Sequence, residues 1–450
     1  MPIHLPTRGA ARAIVPAWCT AVLLVAAPAV PAASAAPAAS APAPPAASAA
    51  TDAGRAFRAL LDEQWAADLR NNPLAATAAG ESRYDDRLPV ATPAEFERIA
   101  GEDAAFLARL RAIDRAALPP ADRLNHELLQ FILEHRVALA PYRQWRAPML
   151  SDDGFHVEVM RMADGVPMNT SADYEQYVAR LRAIPAYFDQ NVANMRLGME
   201  EGWTLPAEIL PGIRAVIDGQ QFASAERSPF WMPFRSMPET MPAAEQERLK
   251  AEARVAIEQG VLPAYRELRA FFVDEYLPAA RTTVGASALP DGARYYEALT
   301  RYFTHLDVTP AQVHEIGLRE VARIRGEMDA VMKEVKFEGD FAAFLQFLRT
   351  DPQFYAKSAT ELLMRASFIA KRADGMLPAY FGRLPRMPYS VEPVPAELAP
   401  NYTGGRYSPP PVGGRRGGQY WVNTYALDKR PLYVLPALTL HEAVPGHHLQ

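Results

Sequence analysis

Three of the nine histidines stand in the last ten residues, as His441, His447 and His448, and the one glutamate of that stretch, Glu442, follows the first of them. Imidazole nitrogens beside a carboxylate suit a divalent metal of borderline softness, Zn2+ above all. Two histidines one helical turn apart, with a glutamate directly after the first, form the H-E-x-x-H pattern, in which both rings hold zinc and the carboxylate serves as general base. Position 445, where the second histidine should stand, is proline. In a regular helix the two histidines of that pattern lie roughly 6 Å apart along the axis, whereas His441 and His447 would be about 9 Å apart and on different faces. A straight helix therefore fails to pair them. Pro445, however, removes the amide that would bond back to the His441 carbonyl, and Gly446 tolerates strained backbone, so the pair can bulge out of the helix. HEAV-PG-H then reads as H-E-x-x-H with two residues looped out and His447 as the second ligand. His448 is the competing candidate.

Two more His-Glu dipeptides, His126-Glu127 and His314-Glu315, carry Gln130 and Leu318 where the second ligand should be, and read as structural. The stretch HEAVPGHHLQ, preceded by GGQYWVNTYAL, resembles the bacterial "domain of unknown function 885" family, which is grouped with the zincin-like metallopeptidases. The resemblance covers most of the chain after the first 50 residues and is most specific from Tyr402 to Gln450. It implies a mainly α, multi-helix zincin-like fold of the neurolysin and angiotensin-converting-enzyme type, with His441 and His447 as zinc ligands and Glu442 as base. It also implies a third ligand, a glutamate in an E-G-W-A-L-Y-like helix downstream. No residue follows Gln450 here, so the sequence reads as C-terminally truncated, with that ligand beyond it. The triplet Glu201-Gly202-Trp203 lies far upstream, continues as TLP, and reads as coincidence.

The function expected is that of an exported zinc-dependent peptidase acting on oligopeptides. Zinc polarises a carbonyl and lowers the pKa of water, and Glu442 takes the proton. The oxyanion needs further donors. Tyr402, Tyr407, Arg415, Arg416 and Tyr420 are the candidates upstream, and Tyr420 and Arg416 are singled out because they flank the short strand expected over residues 417–424. That strand is the analogue of the zincin edge strand that holds a substrate backbone, and Tyr402 and Asn423 are taken as substrate contacts. The alternatives are a zinc- or peptide-binding protein without turnover and a zinc hydrolase acting on a non-peptide ester or amide.

Composition narrows the setting. A chain of 450 residues with 49% hydrophobic content can bury a large core, and a net charge of -5 without a basic stripe argues against nucleic acid as partner. Residues 1–35 place Arg8 and Arg12 ahead of AWCTAVLLVAAPAV and small-residue sites such as Ala33-Ser34-Ala35, the pattern of a secretory signal peptide with a core too short for stable membrane insertion. The only cysteine, Cys19, lies inside it, so any metal site must use His, Asp and Glu. Residues 36–50 form an Ala/Pro/Ser-rich linker, and residues 51–450 the helical metallopeptidase-like domain. A periplasmic or secreted location follows.

The elements that must position the site are helices. Apolar residues at Phe57, Leu60, Leu61, Trp65 and Leu69 mark a helix ended by Asn72-Pro73. Thr92-Pro93-Ala94-Glu95 is a capping box, and further helices are expected over 120–139, 171–199 with an interruption at Pro185, 242–277 with a bend near Pro263, 309–335, and from Ser358. In the 309–335 helix Val313, Ile316, Val321, Ile324, Met328 and Met332 form the expected buried side. Residues 142–169 read as irregular, and residues 385–418 are rich in Pro, Gly and Tyr, with PPPVGGRRGG unable to form a helix.

Overall fold

The computed structural model describes residues 52–151, 153–163, 166–396, 398–410 and 416–450. The expected leader and linker, and Arg415, lie outside the described residues. The architecture is mainly helical, with one three-stranded sheet among the described residues. Two compact units divide it, residues 311–354 and the combination of 52–310 with 355–450. No helix among the described residues is long and apolar enough to cross a membrane.

In the larger unit the first helix, Asp52–Asn71, gives way to a short one, Pro73–Ala78, because the Asn72 side chain caps the latter by accepting from the Ala75 amide at 3.0 Å. Phe57, Leu60 and Leu69 are buried as their spacing requires. Trp65 is exposed, since the inward row passes through Gln64 and Ala67. Thr92 caps the helix Pro93–Arg111, accepting from the Glu95 amide at 3.3 Å.

The main core is built on the helix Ser171–Glu200, opened by a capping box of Thr170 and Asp173. Pro185 does not interrupt it. Gly260 of the neighbouring helical run lies against the Pro185 ring, so the neighbour packs closely where the proline distorts the ladder. That run, Ala243–Ala256 followed by Leu262–Phe271, is continuous through π-helical turns at Ile257–Val261 and Phe272–Tyr276, each ending two residues before a proline, Pro263 and Pro278. A π turn adds one residue per turn and shifts the proline ring away from the carbonyl it would strike, so the helical run passes through Pro263, near which a bend was expected. Leu181, Ile184, Phe188, Leu249, Val261, Tyr265 and Phe272 interlock across the two elements. Val255, expected with them, is exposed.

The smaller unit holds the helices Pro310–Glu334 and Phe341–Thr350, with Phe337, Phe344, Phe347 and Phe354 in mutual ring contact. The longer helix buries none of its residues, so the side expected to be buried, Val313 to Met332, is not.

The last hundred residues position the site. Ser358 caps the helix Ala359–Met376 through the Glu361 amide at 3.1 Å. Residues 385–418, rich in Pro, Gly and Tyr, supply two strands that were not expected, β1 (Tyr389–Pro393) and β2 (Gly405–Ser408). The third, β3 (Gly418–Val422), lies between them, parallel to β1 and antiparallel to β2. Proline and glycine on both sides of β2 hid a strand of four residues from a periodicity reading. A second core of Leu362, Ala366, Tyr420, Val422, Leu435 and Ala443 joins helix, sheet and the final helix, Leu435–Glu442.

Candidate metal centre

The final helix begins at Leu435-Pro436, where the missing proline amide is no loss, and stops at Glu442. Ala443 leaves helical geometry at φ -101° and ψ -105°, and the chain turns back through the cis Val444–Pro445 peptide. The amide of His447 then bonds the carbonyl of His441 at 3.0 Å, and that of Gly446 bonds Leu440 at 3.0 Å. A helical amide reaches the residue four positions back; these reach six, so two residues are looped out and the next turn is restored. Gly446 is needed there, because a Cβ would overlap the His441 carbonyl.

The detour brings one ligand atom from each of His441, Glu442 and His447 within 4.8 Å of one another. The His441 and His447 rings stand 5.0 Å apart and nearly perpendicular, and His447 Nε2 lies 3.9 Å from Glu442 Oε2. Gln450 Oε1 sits 2.8 Å from His447 Nδ1. A proton on Nδ1 donated to Gln450 leaves Nε2, on the Glu442 side, as the lone-pair nitrogen of a neutral ring, the usual arrangement of a metal-binding histidine. The two imidazoles are donors that suit a zinc ion, and the Glu442 carboxylate stands beside them where a base would be needed. Both histidines are exposed whereas Glu442 is buried against the sheet, where its Oε2 accepts the backbone amide of Tyr407 at 2.8 Å.

Tyr407 is the hub that sequence reasoning left among five candidates. Its amide holds Glu442, its hydroxyl lies 2.8 Å from His448 Nδ1, and its ring runs near-parallel to that of His447 at 6.4 Å. Gly418 makes room for that ring, since a Cβ there would overlap the phenol. The pairing of Tyr407 with Tyr420 puts the amide of an edge strand against the carboxylate. Nothing in a four-residue strand bounded by Gly404 and Pro409 signalled that in advance. His448 is engaged elsewhere, with Tyr407, with the Tyr389 ring at 4.8 Å and with the Met387 backbone; burial lowers its pKa, while Met387 and Asp374 push the other way. It is not in the group with His441, Glu442 and His447.

The other expected site residues divide. Tyr420 is fully buried, its hydroxyl 3.3 Å from Thr439 on the final helix, and burial raises its pKa to about 12. It holds the helix on the sheet and presents no donor to a cleft, because alternation along β3 turns Gly418, Tyr420 and Val422 inward. Asn423 is also fully buried, donating to the carbonyls of Ala399, Tyr402 and Thr403 and accepting from the Tyr425 amide, and so buckles the loop before β2 without reaching a ligand. Arg416 binds Gln419 at 2.5 Å and the Pro409 carbonyl at 3.2 Å, bracing the ends of β2 and β3. Tyr402 is half-buried under the Arg406 guanidinium at 5.6 Å. Beside His447 opens a groove of about 400 Å³ lined by Arg406, Tyr407, Pro409, His447 and Gln450. Glu201 lies outside the centre, paired with Arg143 at 2.9 Å and with Arg146.

A mainly helical protein that ends a helix in a bulged His-Glu/His cluster against a small mixed sheet is the class that fold and site define. The chain belongs to the family described as bacterial protein of unknown function (DUF885), whose match spans residues 73–450. Among solved structures it is similar to a chain from Colwellia psychrerythraea provisionally described as a lipoprotein, with a TM-score of 0.79, 23% identity, and coverage of 89% of this chain and 72% of that one. A chain from Shewanella oneidensis, provisionally described as a lipoprotein of unknown function, is similar at a TM-score of 0.59 and 16% identity, covering 89% of this chain and 71% of that one. These likenesses concern the fold. No curated protein matches the chain.

Proposed function

We propose that this protein is a zincin-like, zinc-dependent peptidase, exported by the leader pattern of its first 35 residues to the periplasm or beyond. The observation that carries the reading is the six-residue return from His441 to His447, which closes two imidazoles and Glu442 into one group of donors. His441 and His447 hold the ion, which when bound supplies Lewis-acid polarisation of the scissile carbonyl and acidifies water. Glu442 accepts the proton of the attacking water and delivers it to the leaving amine. The Tyr407 amide aims the carboxylate by bonding Oε2, leaving Oε1 for the proton. A peptide is favoured as substrate because β2, rather than the expected β3, is the outer strand beside Glu442, where an extended chain adds by strand pairing and the groove next to His447 takes a side chain.

Metal content of the leader-free protein tests the reading. About one zinc per chain is expected, lost in His441→Ala and kept in Glu442→Gln, whose peptide hydrolysis should fall about 10²- to 10⁴-fold. Absence of zinc in the unaltered protein rejects it. Zinc without hydrolysis leaves a binding protein, and hydrolysis of esters alone moves the substrate class.

A further inference from the structure

The helical part of the larger unit contains a cavity of about 540 Å³ that shares no residue with the metal centre. Its aromatic wall is Trp203 and Tyr295, packed edge to face at 5.1 Å, with Tyr296 beside them. On its lining, Met149 bridges Gly154 and the Leu150 amide bonds the Asp153 carbonyl at 2.9 Å. Gly154 sits at φ +108°, where a Cβ would overlap the Pro148 carbonyl, and its amide bonds Asp153 Oδ1 at 2.9 Å, which orients that carboxylate. A preformed apolar pocket with a few converging polar groups is the usual form of a small-ligand site.

The charges of the lining say which ligand. Asp153 and Glu158 are both in it, and the Glu158 carboxyl is held above the ordinary carboxylate range by burial first and then by the negative charge of Asp153, with Arg161 offsetting part of this. The one cation of the lining, Arg281, is committed to backbone carbonyls, with Nε on Thr204 at 2.9 Å and Nη1 on Gly285 at 3.0 Å. Arg146, over the Trp203 ring at 4.6 Å, is neutralised by Glu201. Two like charges beside an aromatic wall are relieved by a cation placed between them.

The geometry points to this cavity as a binding site for an organic ammonium carried on an apolar body, with Trp203, Tyr295 and Tyr296 taking the body and Asp153 and Glu158 the charge. The site stands whether or not the metal centre hydrolyses peptides.

Calorimetric titration of the leader-free protein with phenethylamine, and with its uncharged counterpart 2-phenylethanol, tests it. Millimolar binding of the amine is expected, with the alcohol about tenfold weaker or more. Asp153→Asn and Glu158→Gln remove one charge each at nearly constant side-chain volume and keep the fold. Each should weaken the amine about three- to tenfold and leave the alcohol unchanged. His441→Ala should leave amine binding intact. Equal binding of amine and alcohol, no amine binding up to about 50 mM, indifference to both carboxylate variants, or loss of binding in His441→Ala would each overturn the assignment.

Discussion

The same dipeptide occurs twice in the larger unit with opposite orientation. At His126-Glu127, within the helix Pro120–Leu139, the histidine faces the core, its Nε2 3.2 Å from the Leu110 carbonyl and its ring 5.6 Å from Phe57, while the glutamate stands in solvent beside Arg115. At His441-Glu442 the histidine is exposed and the glutamate is buried on a strand amide. Helical phase alone decides which residue turns inward. An inward histidine with a carbonyl partner is a packing element, whereas an inward, oriented carboxylate below outward imidazoles is the arrangement on which the proposed metal centre rests.

The contrast breaks most visibly through the two glutamates. Glu442→Gln should lower peptide turnover about 10²- to 10⁴-fold with zinc retained, and Glu127→Gln should leave it unchanged. Equal effects on peptide cleavage would mean that the orientation difference carries no chemistry. Next in size is Gly446→Ala. The methyl meets the His441 carbonyl, the His447 amide loses its bond six residues back, and zinc affinity should drop on the order of a hundredfold. Gly375→Ala, at a helical glycine with open space around it, is the control and should leave zinc binding as it was.

How much of this was legible beforehand depends on the kind of signal. The helices were readable because spacing and caps are local: Thr92 and Ser358 both cap helices. The two-residue bulge was also local, written in Pro445-Gly446. The sheet was not, since β2 is short and its role depends on β3 lying between it and β1. For the same reason Tyr420 and Asn423 looked like cleft residues. Their neighbours Thr439 and Ala399 are remote enough in sequence that no periodicity announces them. Pro185 misled in the other direction, because a proline breaks a helix only where the neighbour offers no accommodation, and Gly260 offers it.

A third histidine sharpens the comparison. His156 is fully buried, neither ring nitrogen has a hydrogen-bond partner among the described residues, and burial pushes its pKa down to about 4. The unfolded chain takes up that proton near pH 6.5 and the folded chain only near pH 4, so folding stability is complete above about 6.5 and falls as pH drops through that window. The loss should reach on the order of 3 kcal/mol at pH 4. His156→Phe should flatten this part of a chemical-denaturation profile. A profile equally steep with and without His156 would show that the ring is hydrated in the folded protein.

The smallest effect belongs to the outward glutamate. Glu127 and Arg115 form an ion pair with about half of each side chain in water. At such exposure the Coulomb gain is screened and offset by the entropy of fixing two long side chains. Glu127→Ala should therefore shift stability by less than about 0.5 kcal/mol, and raising salt should remove what remains. A loss above about 2 kcal/mol in denaturant titration would mean that Arg115 is left uncompensated at the turn before Pro120. In that case Glu127 would hold the helix start, and the two dipeptides would differ in what their carboxylates anchor, a turn in one and a proton-accepting group in the other.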